Sequence, residues 1–238
     1  MIIYCRRWLR HALRLYDVFI FLITHAYKLV TSVVAPPFCA ACKTFLSERE
    51  PLCDTCFSNI KPVVSKTIPI TDSVDLTVFA SAAYRDPLQI LILAKNYGNI
   101  TAATQLGELI WQLTDIRHLE FDYLVPIPLH WMRYAKRGYN QTEEIAEVIS
   151  ARSGKPLVSL LKRIKKTVFQ ARLTHDERAE NAKEAFVLKV KDKDLFKDKT
   201  IVLVDDVMTS GATLRAAARQ IRLLKPKRII AVVACRVV

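Results

Sequence analysis

From Val74 onward, short apolar runs alternate with stretches of helical spacing, and this alternation most restricts how the chain can fold. "LTVFASAAY", "DYLVPIPL", "PLVSLL", "AFVLK", "TIVLVDDV" and "RIIAVVACRVV" read as strands. Between them, "DPLQILILAKNY", "TAATQLGELIWQL" and "YNQTEEIAEVISA" carry helical periods. Asp86-Pro87 is a good helix start. Asn140, three residues before Glu143, has the spacing of a capping box. After "TIVLVDDV", Leu214, Ala217, Ala218 and Ile221 recur at i, i+3, i+4 and i+7, which predicts a helix with one buried face. Strands and helices in this order predict an α/β fold, a mostly parallel sheet flanked by helices on both faces.

Such sheets bind ligands at the carboxyl ends of their strands. "VLVDDVMTSGAT" has the composition for that position. Asp205 and Asp206 emerge from an apolar strand, and Thr209, Ser210, Gly211, Ala212 and Thr213 form a loop running into the next helix. Small residues let backbone N–H groups approach a phosphate, hydroxyls add donors, and the helix start favours negative charge. Carboxylates beside a phosphate point to a sugar phosphate. They accept from ribose hydroxyls and can hold Mg²⁺ through water. The plainer alternative is an acidic turn ahead of an ordinary helix start.

Four of the six cysteines form two pairs, Cys39-x2-Cys42 and Cys53-x2-Cys56. Each pair can direct two thiolates at one centre, and two pairs complete a tetrahedron for Zn²⁺. With every position filled by protein, the metal's role is structural, and it supplies the folding energy that so short a unit lacks. Two redox dithiols are the alternative. Cys235 lies in an apolar strand and reads as core; Cys5 reads as incidental.

Residues 1–35 are basic, then apolar: Arg6, Arg7, Arg10 and Arg14 precede "DVFIFLITHAYKLVTSVVA". His25 and Lys28 interrupt the run, against a spanning helix. A helix packed on the rest of the protein is expected, with a helix lying on the anionic inner membrane face as the alternative. No small-residue cleavage site follows, so no cleavable signal peptide is expected. Paired cysteines without a secretion signal fit a cytoplasmic location. The expected organisation is a leader over 1–35, a four-cysteine zinc module over 36–62, "SKTIPITDSVD" as a linker, and the α/β domain over 74–238. The formal charge of +13 favours anionic partners without saying which.

Taken together, the strand, acid pair, loop and helix resemble the phosphoribosyl-diphosphate (PRPP) motif of type I phosphoribosyltransferases. Two further segments narrow the likeness. "VPIPLHWMRYAKRGYNQTEEIA", above all Arg137-Gly138-Tyr139-Asn140-Gln141, resembles a signature of the ComF/GntX family of competence-associated phosphoribosyltransferase-like proteins. "FQARLTHDERAENAKEAF" resembles a second family stretch through Gln170, Leu173, Arg178, Asn181 and Phe186. "LAKNYGN" is a looser match, keeping Lys95 and Gly98, and Ser210 stands where many relatives have Thr. The likeness runs from about residue 36 to the C-terminus and leaves 1–35 uncovered.

The resemblance implies a type I phosphoribosyltransferase-like domain behind a zinc module. In it, Asp205 and Asp206 contact the ribose hydroxyls of PRPP, and Thr209 to Thr213 cradle the 5-phosphate. Arg137 and Gly138 lie where pyrophosphate binds. The stretch 165–181 is a hood over the site, in which Lys165, Lys166, Arg172 and Arg178 offset leaving-group charge; Arg178 is a catalytic candidate beside the two acids. No residue identifies an acceptor. Three functions remain open: a phosphoribosyltransferase; a handler of single-stranded DNA in natural transformation; and a scaffold on the DNA-import machinery, docked at the membrane through its leader. For DNA, Arg133, Lys136, Arg137, Lys165 and Lys166 are the candidate contacts, with Trp131, Tyr134 and Tyr139 available to stack bases. Arg215, Arg219 and Arg222 form a stripe on the last helix that reads first as a solvated face.

Overall fold

A computed structural model of the chain describes residues 38–47, 50, 52–71, 74–94, 100–129, 134–135, 138–164 and 185–238. It divides into two compact units, 1–39 with 43–50, and 40–42 with 51–238.

In the smaller unit, Phe38 and Phe45 form an antiparallel bridge, their rings edge to face at 6.0 Å. The turn between them closes when the Cys39 N–H donates to the Thr44 carbonyl at 2.8 Å and the Lys43 N–H to the Cys39 carbonyl at 3.0 Å. Lys43 takes φ +64° to make that turn.

The larger unit opens with α1 (Asp54–Ser58), then β1 (Lys66–Thr71), β2 (Val74–Ala83), α2 (Leu88–Ala94) and α3 (Ile100–Leu113). There follow β3 (Tyr123–Pro126), α4 (Gln141–Ser153), β4 (Leu161–Arg163), β5 (Phe186–Leu188), β6 (Thr200–Met208), α5 (Ala212–Ile221) and β7 (Arg228–Arg236). Five strands form one sheet in the order β1-β2-β7-β6-β3. β2, β7, β6 and β3 run parallel, and β1 is antiparallel to β2. β4 and β5 make a separate antiparallel pair.

Both faces of the sheet are covered, as the alternation of elements predicts. Ile201 and Leu203 share a core with Leu214, Ala217, Ala218 and Ile221 of α5. Val202 and Val204 are fully buried too. Side chains alternate along a strand, so these two face the opposite layer, where α3 and α4 pack on the sheet and on each other. That helix pair approaches closely at Gly107: a Cβ there would lie 2.8 Å from Val148 Cβ and 3.0 Å from the Ile145 carbonyl. Outside that contact, Arg152 pairs with Glu108 at 2.9 Å.

Three expectations need correction. "SKTIPITDSVD" is not a linker, because Lys66–Thr71 is strand β1. It lacks a helical period because it has a strand's period: Ile68 and Ile70 are buried against the α5 core while Thr67 and Pro69 are exposed. Pro69 is tolerated because β1 is an edge strand with an irregularity in its pairing beyond that residue. "PLVSLL" is largely not a strand. Leu157 makes one parallel rung with Leu124, and β4 begins only at Leu161. The capping box does not form. Asn140 caps α4 without a side-chain bond to its backbone. Its amide instead meets Thr142 at 2.9 Å, and the Thr142 hydroxyl donates to the Ile127 carbonyl at 2.6 Å. Those contacts fasten the start of α4 to the carboxyl end of β3.

Candidate metal centre and phosphate loop

The two cysteine pairs converge. The Sγ atoms of Cys39, Cys42, Cys53 and Cys56 all lie within 4.8 Å of one another. Cys42 Sγ and Cys53 Sγ are 3.6 Å apart. That is far beyond a disulfide of about 2.05 Å. It is close to the edge of about 3.8 Å that four thiolates at about 2.3 Å from a tetrahedral ion would span. Local turns build the geometry: Cys39 and Lys43 close one, and Cys53 caps α1, its carbonyl accepting from the Phe57 N–H at 2.8 Å. The donor set and spacing can hold a metal such as zinc. Beside it, a depression of about 260 Å³ is lined by Ala41, Cys42, Cys56, Asn59, Asp86, Pro87 and Ile90. It is too apolar to take an anionic ligand.

The acid pair lies inside β6, which continues to Met208. Asp205 is buried and Asp206 half-buried. The Asp206 N–H donates to Asp205 Oδ1 at 2.8 Å, which fixes the orientation of the buried carboxylate. Thr209 and Ser210 are exposed at the strand's end. The Ala212 N–H donates to Ser210 Oγ at 3.4 Å, so Ser210 braces the start of α5 from just outside it. Gly211 is the N-cap, with φ +75°. Among the described residues, the N–H groups of Ser210 and Gly211 and the hydroxyls of Thr209 and Thr213 meet no protein acceptor. A carboxylate pair, one buried and one half-buried, and a loop of idle donors at a helix start therefore share the carboxyl end of β6. Those donors suit a phosphate, and the carboxylates suit hydroxyls or, through water, Mg²⁺.

Gly211 has a reason the sequence did not show. A Cβ there would lie 2.9 Å from Ile68 Cδ1 of β1, in a backbone conformation that already disfavours L side chains. The glycine is needed for the turn and the β1 contact, whether or not a ligand approaches.

Of the signature segment, Gly138 sits exposed at φ +79°, its N–H donating to the Tyr134 carbonyl at 2.7 Å. Tyr139, Asn140, Gln141 and Thr142 are buried behind it. Tyr134 is 50% exposed and Tyr139 8%, so of these two only Tyr134 is placed to stack on a base. Trp131, Arg133, Lys136, Arg137, Lys165, Lys166, Arg172 and Arg178 lie outside the described residues. So do Lys95, Gly98 and the leader. Cys235 is fully buried on β7, the core position expected of it.

Two polar residues stand out in the structure beyond the expected site. Gln141 is completely buried, and among the described residues neither its Oε1 nor its Nε2 has a hydrogen-bond partner. The sequence marked it as the last residue of the signature and placed it four residues before Ile145 and eight before Ile149 on one helix face. Arg215 reaches back from α5, its Nη2 donating to the Ser210 carbonyl of the loop at 3.2 Å. On α4, the Glu144 carboxyl is pushed above the ordinary range by partial burial, then by Glu147 and Glu143.

The chain is similar in sequence to known proteins. Residues 106–237 match the phosphoribosyl transferase domain family. Competence protein F of Haemophilus influenzae is 30% identical over 200 residues, covering 81% of this chain and 82% of that protein. Competence protein ComFC of Bacillus subtilis is 35% identical over 103 residues, 40% of this chain and 36% of that protein. Among solved structures, a purine phosphoribosyltransferase from Pyrococcus horikoshii aligns over 55% of this chain and 79% of its own, at 19% identity and a TM-score of 0.33. The allosteric regulatory enzyme of purine biosynthesis aligns over 55% of this chain and 25% of its own, at 17% identity and a TM-score of 0.35. Likeness at those scores adds nothing to the assignment, which rests on the domain match and the first relative. With its type I phosphoribosyltransferase-like sheet and its four clustered cysteines, this chain belongs to the ComF family of competence proteins.

Proposed function

We propose that this protein handles incoming single-stranded DNA in natural transformation and carries a PRPP-binding pocket at the carboxyl edge of β6. The observation that carries the pocket is the placing of an acid pair, one member buried and one half-buried, beside a loop whose Ser210 and Gly211 N–H groups and Thr209 and Thr213 hydroxyls meet no acceptor among the described residues. In this reading Asp205 and Asp206 accept from the ribose hydroxyls. Thr209, Ser210, Gly211, Ala212 and Thr213 cradle the 5-phosphate, and Mg²⁺ is held by the acids through water. Arg137 and Gly138 face the pyrophosphate. Zn²⁺ occupies the four-cysteine cluster in a structural role.

The DNA part of the reading is supported by the competence relatives and by the charge of +13. The leader, at 1–35, is assigned peripheral contact with the inner membrane face beside the import machinery. Among the described residues no helix is long and apolar enough to cross a membrane.

The domain match favours a second reading, an active phosphoribosyltransferase that transfers phosphoribose to an acceptor and releases pyrophosphate. In it, the hood stretch with Arg178 excludes water from an oxocarbenium-like centre.

Thermal denaturation tests the pocket. PRPP with Mg²⁺ raises the Tm of the unmodified protein, and Asp205→Asn with Asp206→Asn abolishes the rise. No rise in the unmodified protein sinks the pocket under either reading. Release of pyrophosphate on adding an acceptor separates the second reading from the first.

A further inference from the structure

The last 32 residues after Asp206 contain seven cations, Arg215, Arg219, Arg222, Lys225, Lys227, Arg228 and Arg236, and no acid. Three of the seven, Arg215 and Arg219 on α5 and Arg222 capping its end, fall on one side at i, i+4 and i+7, about one per helical turn. They are not a loosely solvated face. Arg215 Nη2 donates to the Ser210 carbonyl at 3.2 Å, Arg219 Nε to the Ile70 carbonyl at 3.0 Å, and Arg222 Nη1 to the Thr71 hydroxyl at 2.9 Å. All three are half-buried. Every acceptor they meet is neutral, and among the described residues none of them pairs with a carboxylate. Each guanidinium has five N–H donors and has spent one of them here.

A half-buried guanidinium whose described acceptors are all neutral keeps its remaining N–H donors and its charge for an incoming phosphate. Three in a row, Arg215 held on the phosphate loop and Arg219 and Arg222 on the end of β1, complement a chain of phosphates rather than a single one. We infer that the α5–β1 edge is a backbone-tracking surface for single-stranded nucleic acid, and that Arg215 joins this surface to the phosphate loop. The inference deepens the proposed DNA-handling role and rests on it. Arg219 and Arg222 hold phosphodiester groups without reading bases. Because Arg215 also anchors the Ser210 carbonyl, a strand that engages Arg215 acts directly on the loop. Occupancy of strand and sugar phosphate is therefore linked, and by thermodynamic necessity each changes the other's affinity by the same factor.

The test uses the full chain and a fluorescent oligothymidylate, with affinity measured across a salt series, and ribose 5-phosphate titrated by calorimetry. Arg219→Gln with Arg222→Gln flattens the log–log salt slope by about 1.4, at about 0.7 per lost phosphate contact on a single strand. Arg219→Lys with Arg222→Lys loses the same hydrogen-bond geometry but keeps the charge, and so keeps the slope. A purely structural role moves both pairs together. Ribose 5-phosphate affinity is unchanged in both pairs, whereas Arg215→Gln weakens both ligands. A glutamine pair with the unmodified slope overturns the inference while leaving the DNA-handling role intact. An unmodified protein that binds no oligothymidylate removes that role, and this edge with it.

Discussion

At Gly211 one residue serves both the ligand loop and the fold. Its φ of +75° and the 2.9 Å approach of a would-be Cβ to Ile68 Cδ1 are separate obstacles to a side chain. The left-handed conformation alone costs an L residue roughly 1–2 kcal/mol. Gly211→Ala is therefore expected to lower unfolding stability by at least that amount in a denaturant titration. Ile68→Val removes the Cδ1 atom, so the double variant is expected to lose less than the sum of the two single losses. Strict additivity in the double-mutant cycle would show that backbone strain alone requires the glycine. The glycine was visible in the sequence as a loop residue, but its neighbour was not. Ile68 lies 143 positions earlier, in a segment that read as a linker. Gln141 has the same history. Its identity was plain, but that both polar atoms of a fully buried carboxamide lack partners among the described residues is a property of the packing around it.

Among the elements, α4 shows best how local pattern and tertiary contact divide the work. Its helical period and its left-handed terminator, Gly154 at φ +69°, are local. Its expected cap was overruled, because Asn140 and Thr142 turn inward to the carbonyl of Ile127. The Glu144 carboxyl is raised first by partial burial and then by Glu147 and Glu143, the acids that crowd the first two turns with it. A carboxyl raised in the folded state destabilises the fold progressively as pH climbs from the unfolded to the folded pKa. Glu147→Lys replaces two repulsive spacings, i, i+4 and i, i+3, with attractive ones. That substitution is expected to raise stability at neutral pH by about 0.5 kcal/mol. Below the ordinary carboxylate range the gain disappears. A pH series of melting curves on both proteins checks this; a gain that persists in acid would trace the effect to something other than these charges. β1 makes the complementary point. A proline and only two buried apolar residues left its pattern too weak to read, and pairing with β2 under α5 made it a strand.

Across the whole molecule, the cysteine cluster joins two segments that carry little core of their own. Only Cys39 and Leu52 among its described residues between 38 and 59 are buried apolar positions. Four thiolates brought within 4.8 Å repel one another once ionised, and a cation bound among them would supply stability that the packing does not. The protein as purified is expected to hold one zinc per chain by elemental analysis. Cys53→Ser or a strong chelator is expected to abolish that metal and unfold the segment from Phe38 to Asn59, as followed by hydrogen exchange. The sheet from β1 to β7 should keep its protection, since its core is independent of the cluster. Metal-free protein with unchanged exchange throughout would refute the structural role.

The sequence by itself determined the elements whose signal is local. These are the parallel strands apolar on successive positions, the helix after the acid pair, the two cysteine turns, and the order of acids, loop and helix at the end of β6. Each is dictated by backbone hydrogen bonding and by side chains within a few positions, so each survives in a one-dimensional reading. Tertiary structure decided what depends on distant partners: β1 as an edge strand, the inward turn of Asn140, the Ile68 contact that requires Gly211, and the conversion of a helix-face arginine stripe into a clamp on Ile70, Thr71 and Ser210. Burial and hydrogen-bond satisfaction are set by what folds against a residue, and for these residues that lies tens of positions away or beneath a neighbouring element.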